Sequence, residues 1–148
     1  MSVVVNIAEA VKDLLNAAPS LSQNFTATRV YVPQTPLEEL GDLTVKVAPR
    51  GLPDVGQATR SAAQWGVAID IGIQKRLASA AGSAAEKTEI DGLIGLVEEI
   101  SDYLRQRPIL DNTVAWLKCE VPALFVPDHL VEQRVFTAVI TVTYRTIL

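Results

Sequence analysis

At 148 residues the chain is the size of one domain, long enough to bury roughly 68 to 70% of the surface its unfolded form would expose. Shares of 49% hydrophobic and 20% charged residues exclude wholesale disorder, and the 5% aromatic share leaves Ala, Val, Ile and Leu to fill the core. A net charge of -4 with a pI near 5.0 argues against a free-standing nucleic-acid binder, which needs a basic surplus to displace counterions from phosphates.

Cys119 is the one cysteine, so no internal disulfide framework exists and a reducing compartment is expected. The longest apolar strand-like run, residues 135–144, falls far short of the ~20 residues of a membrane helix and is broken by threonines. The opening MSVVVNIAEAVKDLL has no basic stretch ahead of its apolar residues and soon acquires Glu9, Lys12 and Asp13, so no secretory leader is expected.

Ile7, Val11, Leu14, Leu15 and Ala18 recur at helical spacing, with Asn6 and Glu9 as a capping pair and Pro19 as a stop. The spacing predicts a helix over residues 6–18. Thr28, Val30 and Val32 then alternate with Arg29 and Tyr31 in a short strand ending at Pro33. A link holding Pro36, Glu38, Glu39 and Gly41 leads to Leu43, Val45 and Val47, a second strand paired most simply with the first as a hairpin. Residues 49–61, PRGLPDVGQATRS, carry two prolines and two glycines without a period, and predict a long projecting loop.

In QWGVAIDIGIQKRL, Trp65, Val67, Ile69, Ile71 and Ile73 occupy every second position, which defines a long half-buried strand. Its other face carries Gly66, Ala68, Asp70 and Gly72. Ser83 and Glu86 form a capping box ahead of Ile90, Leu93, Ile94, Val97, Ile100 and Leu104, so a second helix is expected to end near Gln106, before Pro108. Within residues 109–131, TVAWLKCEV reads as a short strand or a helical turn, and residues 121–131 as a second, proline-marked projecting loop. Phe136, Ala138, Ile140, Val142 and Tyr144 close the chain as another long alternating strand. The expected fold is one α+β domain over residues 1–148 in the order α-β-β-β-α-β. A mainly antiparallel four-stranded sheet would carry both helices on its apolar face.

Catalytic signatures are sparse. His129, the one histidine, has only Asp128 and Glu132 as local acidic neighbours, and exposed loop histidines without a role are far commoner than catalytic or ligating ones. Cys119 lacks a second cysteine or an evident base and reads as a small hydrophobe. The sequence contains no P-loop, no GxGxxG after a strand and no GxSxG elbow. Glu98, Glu99 and Asp102 read as the solvated side of a helix. No catalytic, cofactor-binding or metal-ligating residue is assigned and no cofactor is expected. Asp70 has two readings, an exposed strand aspartate or a charge at a subunit contact, because Gly66, Ala68 and Gly72 leave its face low enough for another surface to approach.

The N-terminal helix, the LEELGDLTVKVAP link, the loop ending ATRS, and the segments VAIDIGIQKRL, EIDGLIGLVEEISDYL and HLVEQRVFTAVITVTYR together resemble the tail terminator (tail-completion or neck) proteins of tailed bacteriophages. The resemblance lies in pattern and element order across nearly the whole chain. It implies a non-enzymatic virion protein, assembled in the bacterial host cytoplasm into a ring, typically a hexamer. Such a ring would cap the tail tube and join it to the head connector, with genomic DNA passing through the lumen unbound and no membrane involved. Arg50, Arg60, Asp70, Asp128 and His129 are the subunit-contact candidates by position. Other readings are a different head-tail joining or tail-tube protein, a small hydrolase using His129 with an acidic residue, and a module that binds partners by strand addition.

Overall fold

The computed structural model describes residues 3–18, 21–23, 25–31, 43–51, 54–57, 63–109, 114–123, 125–132 and 134–147. Three helices and six strands follow in the order α1 (Val3–Asn16), β1 (Ala27–Arg29), β2 (Thr44–Gly51), β3 (Asp54–Gln57), β4 (Ala63–Arg76), α2 (Ala84–Leu104), β5 (Ala115–Ala123), α3 (Pro127–Glu132) and β6 (Val135–Ile147). The strands form one mixed sheet, ordered β1-β2-β4-β6-β5, with β3 paired to β4.

β4 and β6 are the spine. They pair antiparallel without interruption from Gln64↔Ile147 to Arg76↔Val135. Val67, Ile69, Ile71 and Ile73 of β4 and Phe136, Ala138, Ile140, Val142 and Tyr144 of β6 are all fully buried. They form one core with Ile7, Ala8, Val11 and Leu15 of α1 and Leu93, Leu96, Val97, Ile100 and Leu104 of α2. The predicted placement of both helices on one sheet face therefore holds, and the Tyr103 hydroxyl joins them by donating to the Leu14 carbonyl at 3.2 Å.

Helix α1 begins at Val3 rather than Asn6, because Val3 and Val4 also pack against the core and add a turn. At its other end the Asn16 side chain accepts from the Ala27 amide at 2.7 Å and donates to the Ala27 carbonyl at 3.0 Å, which fixes where β1 starts. β1 and β2 are not a hairpin. They run parallel, Ala27↔Val45 to Arg29↔Val47, and the stretch between Arg29 and Thr44 supplies the dozen or more residues that a parallel crossover requires.

The sheet also has more strands than the expected four. The stretch expected to project as a loop over residues 49–61 instead carries the end of β2, through a bulge between Pro49 and Gly51, and the short β3. Pro49 stands at the border of this bulge, whose extra residue is Arg50, where the regular ladder is interrupted and a missing N–H is tolerated. Residues 121–131 are likewise not a free loop: Val121 to Ala123 finish β5, and α3 follows from Pro127.

The link from β4 to α2 is tied down by two acids. Ser83 accepts from the Glu86 amide at 3.1 Å, as a capping box requires, but the Glu86 carboxylate turns to the Gly82 amide at 3.3 Å and to the Arg134 guanidinium. Glu89 accepts from Lys75 Nζ at 3.0 Å and from the Ala78 and Ser79 amides. Burial alone would push its carboxyl up, but Lys75 and the two amides outweigh that and hold it below the ordinary value of 4.5.

A carboxyl depressed on folding stabilises the fold above its unfolded pKa, and that stability fades as pH falls through the folded value. Glu89→Gln is therefore expected to lose about 1.5 kcal/mol at pH 7. Urea titrations of wild type and variant should converge as the pH drops below 4.5; a gap that stays constant with pH would contradict this.

Candidate functional site

Alternation along β4 sends Gly66, Ala68, Asp70, Gly72 and Gln74 to the sheet face opposite α1 and α2. The register places Asp70 between Ala48 of β2 and Thr141 of β6, Ala68 beside Thr143, Gly72 between Lys46 and Val139, and Gln74 beside Thr137. Glycine, alanine and threonine thus line the middle of this face, flanked by the longer side chains of Lys46, Arg50 and Gln74, with Lys118 and Glu120 of β5 beside Thr143 and Thr141. Ala48, Gln74, Thr137, Thr141 and Thr143 are all buried.

The central point is Asp70. The Thr141 hydroxyl donates to Asp70 Oδ1 at 2.8 Å and accepts from Arg50 Nη1 at 3.3 Å. Arg50 itself lies 3.9 Å from Asp70 Oδ1. It reaches this position because it sits in the β2 bulge, where its neighbours Pro49 and Gly51 pair with Ile69 and Ala68 while it pairs with neither. The Asp70 side chain is only 17% exposed and that of Arg50 58%, so the acid is sunk in the face while the guanidinium lies over it.

This arrangement holds charge in place rather than activating it. The Thr141 proton is committed to Asp70, its lone pair faces a cation, and Thr141 is 5% exposed. Among the described residues, no group of three His, Cys, Asp or Glu side chains is placed to hold a metal ion.

His129 reaches the same face from α3. Its Nδ1 lies 2.9 Å from the Thr137 hydroxyl, which also accepts from Gln74 Nε2 at 3.3 Å. Thr137 is fully buried and Gln74 nearly so, so α3 closes this end of the face with a polar seam. Asp128 is exposed in the first turn of α3. Gln74 lies four positions along β4 from Asp70, on the order of 13 Å along the strand.

Arg50 and Asp70 are therefore brought together. His129 and Asp128 stand apart from them at the end of the face, and Arg60 lies outside the described residues. Thr141, which joins Arg50 to Asp70, is not among the residues singled out from the sequence; its only signal there is a threonine on the non-core positions of the last strand.

No protein-family model matches this sequence. No curated protein matches it either. Among solved structures the chain is similar to one from the virion of a native gene transfer agent particle, at 16% identity and a TM-score of 0.49, over 98% of this chain and 96% of that one. Among the described residues, no helix is long and apolar enough to cross a membrane.

Proposed function

We propose that this chain is a non-enzymatic structural protein of a phage-type virion that assembles into a closed ring, hexameric by the tail terminator resemblance. The ring caps the tail tube and joins it to the head connector, and genomic DNA passes through its lumen without specific contacts. The protein assembles in the bacterial host cytoplasm and resides in the tail or neck of the finished particle.

The observation that carries this reading is the sheet face built around Asp70. Over a low centre of Gly, Ala and Thr, Arg50 is pinned by Thr141 and Asp70 and left half-exposed, so it offers a fixed charge to a second surface at little cost in side-chain entropy. A heterologous contact, one patch meeting a different patch on the next copy, closes into a ring when the rotation allows. The net charge of -4 accords with a lumen along which DNA slides.

Purified full-length protein is expected to form closed rings, seen by electron microscopy and by mass as a fixed multiple of the 16.0 kDa chain. Protein that stays monomeric at high concentration, and is absent as a ring from assembled tails, would sink the reading.

A further inference from the structure

β5 ends the sheet, and the exposures along it are those of an open edge: Leu117 is 40% exposed, Val121 38%, and the Lys118 and Glu120 side chains 58% each. An edge with two large apolar side chains in water invites pairing with another strand. The order of residues on this edge is symmetric in chemistry about Cys119. Lys118 and Glu120 stand on either side of it, and Leu117 and Val121 one step further out.

We propose that β5 is a self-recognition edge, at which two copies of this chain join their sheets by antiparallel β5–β5 pairing about a two-fold axis through Cys119. In that register Lys118 of each copy lies opposite Glu120 of the partner subunit and Cys119 opposite its own copy, across the regular stretch of β5 between its bulges at Trp116–Lys118 and Glu120–Ala123. Opposite charges directly across antiparallel strands stabilise the pairing. Registers centred on Lys118 or on Glu120 instead set like charge against like, so the charges select one alignment as well as favouring contact.

The Lys118–Glu120 ion pair of 3.1 Å within a single chain is solvent-exposed and screened, so it is readily exchanged for the same pair across the axis. Such a contact closes after two copies. Lys118 and Glu120 stand beside Thr143 and Thr141, at the rim of the face around Asp70, so this contact neighbours the proposed ring contact and is told apart from it by separate variants.

The test uses the full chain in sedimentation velocity over a range of concentrations, with circular dichroism as the folding control. Wild type is expected to associate through this edge in even multiples of the chain, as pairs of chains or pairs of rings. Lys118→Glu, which leaves two acids on the edge, and Glu120→Lys, which leaves two bases, are each expected to weaken pairing about tenfold. An equimolar mixture of these two variants should recover pairing, since acid then faces base at both positions, and the swap Lys118→Glu/Glu120→Lys should pair like wild type. Unpaired wild type, undiminished self-pairing of either single variant, or a mixture no better than its components would overturn the proposal. Rings are scored separately by electron microscopy: rings that persist when pairing is lost, or pairing that persists in Asp70→Arg when rings are lost, assign a failure to one contact or the other.

Discussion

Ile71→Ala is expected to lower stability by about 4 kcal/mol. Ile71 stands in the middle of the core face, in one row with Val47 on β2 and Ile140 on β6, and all three are fully buried. Truncation there removes the contacts of three methyl or methylene groups and leaves a cavity that the central strands of a sheet cannot collapse to fill. Against a total of about 5–15 kcal/mol this is enough to shift the urea midpoint by roughly 2 M. Ala68→Ser, on the opposite face of the same strand, should stay within about 0.5 kcal/mol of wild type. A loss below about 1 kcal/mol for Ile71→Ala would mean that β4 does not form the spine of the core.

The contrast between neighbouring positions of β4 is what made most of this fold legible. A strand that buries one face against helices must alternate, and residues 64–77 and 135–144 alternate without a break, so both spine strands were readable to within a few residues. The apolar stripe of α2 was readable for the same reason, and its N-terminus was fixed by Ser83. β5 was not, because an edge strand buries little: Lys118, Glu120 and Pro122 interrupt its pattern, and bulges between Trp116 and Lys118 and between Glu120 and Ala123 shift the period. The parallel direction of β1 was equally hidden, since three residues, Ala27–Arg29, carry no information about strand sense and the Asn16 side chain that positions them acts from a distant helix.

The candidate site was half legible. Asp70 stood out because a charge between Ala68 and Gly72 is conspicuous on a low face, but its partners come from β2 and β6 and depend on a bulge and a register that no local pattern encodes. Arg50 was chosen from the sequence by position alone; the bulge is what aims it at Thr141 and Asp70. Asp128 and His129, adjacent in sequence, looked like one feature, yet the structure uses His129 to seal Thr137 and leaves Asp128 in solvent.

Asp70→Arg is expected to abolish ring assembly while the monomer stays folded. The substitution removes the acceptor of the Thr141 hydroxyl and sets a second guanidinium beside Arg50, where a 3.9 Å ion pair stood before. Losing a hydrogen bond to a charged group costs about 2 kcal/mol, and the new repulsion is softened because Arg50 can swing outward into water. Stability therefore falls but the fold survives, and cooperative urea unfolding should show it. The face is harmed more than the fold, because a second long cation now stands over its low centre and Arg50 loses the acid that pins it. The swap Arg50→Asp/Asp70→Arg separates the two effects: it restores an ion pair and is expected to recover most of the lost stability. It should not recover rings, since the sunken acid under a covering base has been exchanged for the reverse. Mass measurement and electron microscopy of wild type, Asp70→Arg and the swap give the answer directly. Rings formed by Asp70→Arg as readily as by wild type would move the subunit contact off this face, whereas rings restored by the swap would mean that the pair serves only to keep the face flat.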